Sequence, residues 1–357
     1  MITSIKMRLY PTKAQKSEIK KELEGHRVIY NELLEKRISL WKNEKKSVSA
    51  FDLIKQELPK HKNDGLNYSS MQQTVRRLDK AYQFFFRKQN SFPRFKKSFR
   101  SMEFGRYGDG WKLKEGKLYV QHIGLLAYKV SQSIPEPKHL IVVFDGLDYW
   151  AIISGESTKE FPSCAESAIG IDMGMKTFAT LSNGEKIEHP TPYLKSLKKI
   201  QKEQSRLNRT EDKARKELLR KRLRKIHKKI KNQRTDFLHK ASRAIVNAHS
   251  AIFVEDLSVK EMKSFSNYNR KQADLAWMTF LNMLQYKAES AGRVFKKVNP
   301  AYTTQTCRKC GHIQKIELSE RTYVCPVCGH EEDRDIMAAK NILAVGLYSL
   351  DAAKAAS

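Results

Sequence analysis

Long apolar runs, acidic residues and cysteines are all scarce in this chain. None of its 357 residues belongs to an apolar run of about 18, so no membrane-crossing helix is expected. The chain opens without the basic, apolar, small-residue pattern of an export leader, so a soluble, cytoplasmic protein is expected. Five cysteines are too few for an export disulfide framework, and four of them form two C-x-x-C pairs, which in a reducing compartment reads as metal binding. Cys164 is the odd one and reads as structural. Acids number 39 against 68 Lys and Arg, for a formal net charge of +29, and the expected partner is a polyanion, nucleic acid first. No 20- to 50-residue repeat and no long low-complexity tail is present.

At roughly 150 residues per domain, the length suggests two or three units. Ile2 to Tyr10 alternates like a strand, Pro11 stops it, and Thr12 with Gln15 offers a capping box to a long helix. Helical patterns continue to about Lys88. From Phe92 the chain interleaves aromatics with bases (FPRFKKSFR) and then gives short strand-like runs, KLYVQHI, LIVVF and YWAIIS. With the N-terminal strand these could form a barrel into which the helical region is inserted. From Ser167 the pattern turns mixed α/β, with an Asn183-Gly184 hairpin signal. Lys195 to Arg234 then holds 18 Lys and Arg against four acids. Leu219, Leu223, Ile226 and Ile230 recur there at heptad-like spacing, as two basic helices packed along an apolar seam require. A solvated helix face accounts for any single base here; the excess as a whole asks for phosphates.

Cys307, Cys310, Cys325 and Cys328 form two C-x-x-C-G-H turns with 14 residues between the pairs, the spacing of a closed, structural Cys₄ zinc site. The intervening segment reads as a short β ribbon, and His312 and His330 as bystanders. Asp172, within AIGIDMG, and Glu255, at the end of AIFVE, are acids placed where apolar strands end. Left ionised and unpaired there, each costs several kcal/mol, about 3 or more. A helix cap or an ion pair is the bland compensation; a pair of divalent cations about 4 Å apart is the catalytic one. In EEDRDIMAAKNIL, either Asp333 or Asp335 brings a third carboxylate just before a helix. Strand acid, strand acid, helix-start acid is the chain order that an RNase H-like sheet needs to gather three carboxylates around metal.

The motifs GIDMGMKTFATLSNG, HKKIKNQRTDFLHKAS, IFVEDLSV, NPAYTTQTCRKCG, DRDIMAAKNIL and, more weakly, FPRFKK make the chain resemble, nearly end to end, the RNA-guided nuclease family TnpB (OrfB) of bacterial insertion sequences. That family is related to compact type V CRISPR effectors. The resemblance implies a multidomain α/β protein: a wedge β-barrel (1–10 and 92–160) carrying an inserted helical recognition lobe (11–91), then an RNase H-like (RuvC) nuclease (161–357). The nuclease would hold a basic helical insertion (about 192–240) and a Cys₄ zinc ribbon (about 303–331). The resemblance also implies a guide RNA, a double-stranded DNA target, catalytic Mg²⁺ on Asp172, Glu255 and Asp335, and structural Zn²⁺ on Cys307, Cys310, Cys325 and Cys328. It selects Asp335 over Asp333, because the family acid stands two residues before a usual Asn. That Asn is Met337 here, and a thioether cannot donate a hydrogen bond, so weakened cleavage is expected. The expected activity is RNA-guided DNA cleavage. The alternatives are a nuclease-inactive guided DNA-binding protein and a strand-transfer transposase.

Overall fold

The computed structural model describes residues 2–156, 164, 166–174, 176–256, 276–317 and 320–355. The expected boundary near residue 160 and the last three residues of IFVEDLSV lie outside them. The chain divides into two compact units, Met1–Thr158 and Lys159–Ser357.

In the first unit, β1 (Ile2–Leu9) buries Ile5, Met7 and Leu9 on one face, as its alternation requires. Thr12 then caps α1 (Lys13–Glu44). Its hydroxyl accepts from the Gln15 N–H at 3.3 Å, and the Gln15 side chain accepts from the Thr12 N–H at 3.0 Å. With α2 (Ala50–Gln56) and α3 (Tyr68–Phe86), α1 encloses a core of Leu33, Leu34, Leu53, Val75 and Leu78.

Seven short strands follow: β2 (Ser101–Phe104), β3 (Trp111–Lys114), β4 (Lys117–Val120), β5 (Gly124–Leu126), β6 (Tyr128–Lys129), β7 (Glu136–Phe144) and β8 (Tyr149–Glu156). β1 pairs antiparallel with β8 along its length and with β6 at its end, so the N-terminal strand does join strands that come after the helices. The expected closed barrel is not seen among the described residues. The order β2-β7-β8-β1-β6 is an open sheet, and β3-β4-β5 is a separate one. β6, only two residues long, offers too short an edge to close the sheet. Both sheets share one core, which includes Met7, Phe104, Trp111, Val120 and Ile153.

The second unit contains β9 (Ala168–Met173), β10 (Ala179–Leu181), β11 (Lys186–Ile187), α4 (Pro192–Arg209), α5 (Lys213–Ala248), β12 (Ala251–Glu255), α6 (Trp277–Ser290), β13 (Val294–Val298), β14 (Thr322–Val324), β15 (Glu331–Asp333) and α7 (Arg334–Ala355). Its sheet runs β11-β10-β9-β12-β13. β9, β10 and β11 are antiparallel neighbours, with Gly184 at φ +92° in the β10–β11 turn, whereas β9, β12 and β13 are parallel.

Because side chains alternate along a strand, the two sheet faces have different partners. Ile169, Ile171, Ile252 and Val254 pack with Leu238, Ile245, Phe280 and Leu284 of α5 and α6. Phe253 on the other face packs with Ile342 of α7. That helix lies so close that a Cβ at Gly170 would meet the Ala339 carbonyl oxygen at 2.1 Å, and a Cβ at Gly346 would meet the Phe253 ring at 2.2 Å. The α4–α5 seam is apolar as expected: Ile200, Leu223 and Ile230 are buried, and Tyr193, Leu207 and Ile226 pack around them. The basic side chains are left on the outside.

Candidate metal centres

Asp172 stands two residues beyond Gly170 and so shares its face, the face that meets α7. Glu255 stands two beyond Phe253 and shares that same face. The parallel register sets Ile171 opposite Val254, and one residue further brings Asp172 beside Glu255 on strands about 4.8 Å apart. Asp335 lies in the first turn of α7, one turn before Ala339, so packing the helix on Gly170 points Asp335 at the same strand ends.

The electrostatics record this convergence. Burial pushes the Asp172 carboxyl up to about 8, and the charges of Glu255 and Asp335 add to it against the opposing pull of Arg334 and the Met173 N–H. Glu255 is 8% exposed and is also raised by burial, against a 2.5 Å hydrogen bond donated by Thr303 Oγ1. Arg334 Nη2 lies 3.3 Å from Asp335, and Arg321 Nη1 lies 3.7 Å from it.

Asp333 does different work from Asp335. One of its oxygens accepts the N–H groups of Asp335 and Ile336 at 3.0 and 3.1 Å, capping α7, and the other meets Lys186 Nζ at 2.7 Å. Glu332 pairs with Lys340 and with His330. The negative charge of EEDRD is therefore divided among a helix cap, ion pairs and one acid aimed at the sheet.

Among the described residues, the one group of metal-ligating side chains whose ligand atoms all lie within 4.8 Å of one another is Cys307, Cys310, Cys325 and Cys328. Sγ–Sγ distances of 3.6 Å (Cys307–Cys328) and 3.5 Å (Cys310–Cys325) approach the spacing of about 3.8 Å set by four Zn–S bonds of about 2.3 Å. Both turns have the same build. The first Cys donates its N–H to the His carbonyl (Cys307 to His312 at 2.8 Å, Cys325 to His330 at 2.9 Å), and Gly311 and Gly329 donate back to the first Cys. Those glycines sit at φ +75° and +66°, where a Cβ is strained. The thiols shift one another in opposite directions: against burial, the N–H groups of Cys328 and Val327 with the neighbouring thiols bring Cys325 down to about 6, whereas, against the His312 N–H, burial and the other three thiols push Cys310 up.

The histidines thus contribute carbonyls to these turns. The expected ribbon between the cysteine pairs is divided differently: each turn closes its own short antiparallel pairing, Thr306 with Ile313 and β14 with β15. Met337 is fully buried in the ribbon's small core with Cys307, Tyr323 and Cys325. Two polar residues to which the sequence alone assigns no role stand beside the acids. Thr303 holds Glu255, and Asn341 Nδ2 donates to the carbonyls of Thr303 and Thr306, both at 2.9 Å. The signal for Thr303 is its place in NPAYTTQT immediately after β13; Asn341, in α7, has none.

Arg206, Arg209, Arg215 and Arg222, together with Glu211 and Asp212, line a concavity of about 770 Å³ where α4 turns into α5. No helix among the described residues is long and apolar enough to cross a membrane.

A family profile described as "Probable transposase", that of the OrfB proteins of IS605-type elements, matches residues 138–266. A "Cas12f1-like, TNB domain" profile matches 277–342. An OrfB helix-turn-helix profile matches 1–46, which here form β1 and the single helix α1. A protein of Streptomyces pristinaespiralis is 31% identical over 361 residues, covering 96% of this chain and 89% of its own. InsQ of Escherichia coli K12 is 32% identical over 299 residues, covering 77% and 74%. Both bear the description "Putative RNA-guided DNA endonuclease". The protein of a Cas12f1–sgRNA–target DNA complex aligns over 96% of this chain and 99% of its own, at 19% identity and a TM-score of 0.36.

A mixed α/β sheet with acids at its strand ends and a four-cysteine ribbon before its last helix defines a class of metal-binding protein. Within that class, the chain belongs to the TnpB/OrfB family of IS605-type insertion sequences, which is related to Cas12f.

Because zinc binding contributes to the folding free energy of such a ribbon, Cys325→Ser lowers both zinc content and melting temperature. One zinc per chain and an unchanged melting temperature in that variant would refute a structural Cys₄ site. Met337→Asn puts an amide into an apolar core and is expected to lower stability by about 1–3 kcal/mol. If Asn at 337 instead finds a hydrogen-bond partner beside Asp335, thermal unfolding will be unchanged.

Proposed function

We propose that this protein is an RNA-guided, Mg²⁺-dependent DNA endonuclease whose RuvC-type site is formed by Asp172, Glu255 and Asp335. The observation that carries the reading is the convergence of three carboxylates from two strands and a helix start, with Asp172 pushed up to about 8 by burial and by the other two acids. The strand order β11-β10-β9-β12-β13 is that of an RNase H-like sheet and supports it. So does membership of a family whose relatives bear the endonuclease description.

The donor set fits magnesium, since all three groups supply hard carboxylate oxygens. Carboxylates from three separate elements could hold two such ions about 4 Å apart. When bound, such ions activate water and stabilise the leaving oxygen in phosphodiester hydrolysis. The chain's own contribution is to hold the acids on rigid elements and to set Arg334 and Arg321 beside Asp335. The basic α4–α5 pair holds nucleic-acid backbone while base pairing reads sequence. Zn²⁺ on the four cysteines is structural. Guide RNA and double-stranded DNA are the partners, and the site of action is the cytoplasm.

In guided cleavage, Asp172→Ala, Glu255→Ala and Asp335→Ala should each abolish cutting while guided binding persists. Asp333→Ala should still cut, although loss of its cap lowers stability by about 1 kcal/mol. Cutting by Asp335→Ala together with an inactive Asp333→Ala would reverse the assignment. Binding without cutting by the wild type would favour the nuclease-inactive reading, and joining of cut ends to target DNA would favour the transposase.

Folded and free of metal, Asp172 keeps its proton up to about pH 8, whereas its ordinary value is 3.8. Its contribution to stability is therefore full below the unfolded value and is lost as pH rises toward 8. Metal binding must release that proton, so the Mg²⁺ midpoint should fall as pH rises from about 6.5 to about 8.5. A pH-independent midpoint would contradict protonation at Asp172.

Replacing several of the Lys195 to Arg234 bases with Gln should flatten the dependence of log K on log salt by about 0.9 for each phosphate that is no longer neutralised. An unchanged slope would make this a merely solvated face.

A further inference from the structure

The loop after β13 makes a closed circuit. Val298 of β13 is the backbone partner of Glu255. The chain then leaves the sheet, turns at Tyr302 with φ +64°, and five residues after Val298 returns Thr303 to the Glu255 side chain. Thr303 is 4% exposed, and its hydroxyl donates to Glu255 Oε1 at 2.5 Å, nearer than the Pro300 carbonyl at 3.1 Å. A hydroxyl carries one proton, so the shorter, charge-assisted bond to the carboxylate is the one that fixes this rotor.

Something must hold the loop in turn. Asn341, two helical turns into α7 and 8% exposed, spends both amide hydrogens on it, one on the Thr303 carbonyl and one on the Thr306 carbonyl, each at 2.9 Å. Thr306 directly precedes Cys307, and Thr306 itself bridges to Ile313 beyond the first cysteine turn. One side chain of α7, the helix that carries Asp335, thus ties together the foot of the cysteine ribbon and the residue that holds Glu255.

Resting on the nuclease reading above, we infer that Thr303 is a positioning residue for Glu255 and that Asn341 clasps the ribbon to it. Donation to Oε1 fixes the rotamer of Glu255. It leaves the second carboxylate oxygen for a divalent cation. The clasp makes the cysteine ribbon a support for the carboxylate site, so disturbing the ribbon's foot weakens metal binding at Glu255 without touching an acid.

The test compares full-length wild type, Thr303→Val, which keeps the shape and removes the hydroxyl, Thr303→Ser, which keeps the hydroxyl, and Asn341→Leu. Each is purified with its RNA. Three quantities are read: bound Mn²⁺ by electron paramagnetic resonance, the Mg²⁺ midpoint of guided cleavage, and zinc content. Thr303→Val is expected to weaken Mn²⁺ binding and raise the Mg²⁺ midpoint by about 10- to 100-fold with zinc at one per chain. Thr303→Ser should restore both to within about 3-fold of wild type, and Asn341→Leu should move in the direction of Thr303→Val.

Equal Mn²⁺ affinity in Thr303→Val and wild type overturns the inference. So does a Thr303→Ser no better than Thr303→Val, which would mark Thr303 as a packing residue. Weakened Mn²⁺ binding in Thr303→Val, with no guided cleavage by any form including wild type, upholds the positioning role and overturns the nuclease reading instead.

Discussion

The close approach of α7 to β9 is the contact on which the rest of the second unit depends. At Gly170 a Cβ would collide with the Ala339 carbonyl at 2.1 Å, so the helix backbone rests directly on the strand with no side chain between them. That approach fixes where the first turn of α7 ends up. Asp335, one turn before Ala339, reaches the strand ends because Gly170 has no side chain; Asp172 faces it because it is two residues from Gly170. Displacing the helix by the thickness of one methyl group would separate the third carboxylate from the other two.

Bringing three acids together is unfavourable in itself. Strand alternation and parallel register put Asp172 and Glu255 side by side, and packing adds Asp335, so the fold concentrates like charge in a half-buried site. Protonation at Asp172 relieves the repulsion when no cation is present. The Thr303 hydroxyl partly offsets the burial of Glu255, and Arg334 and Arg321 flank Asp335. A divalent cation would offset all three charges at once, which is why such an arrangement suits metal chemistry and is costly for stability alone.

Much of this was legible before any coordinates, because the informative residues are ones whose chemistry is local. The Thr12–Gln15 capping box, the Asn183-Gly184 turn, the apolar seam of α4 and α5 and the paired C-x-x-C-G-H turns each depend on a few neighbouring residues, and each forms as the spacing predicts. The acids at strand ends were visible as charges where apolar runs stop. What could not be read depends on contacts between distant segments. Barrel closure turns on the edge pairing of a two-residue strand. The cap formed by Asp333 and the ion pair of Glu332 required the helix start to be placed to within one residue. Met337 stands where the family usually has Asn, and that its neighbours in space are Cys307, Tyr323 and Cys325 depends on the fold of the ribbon. Thr303 and Asn341 are 38 residues apart, and no pattern in the chain announces that they meet.

The central claim is that α7 and the sheet gather Asp172, Glu255 and Asp335 into one divalent-metal site, and locating the ion is its most direct test. Crystals of the full-length protein with its RNA, soaked in Mn²⁺ and measured for anomalous scattering, should show manganese bound among Asp172, Glu255 and Asp335, with zinc separately on the four cysteines. Manganese held instead by Glu332 and Asp333, or a site occupied without contact to Asp172 and Glu255, would contradict the account.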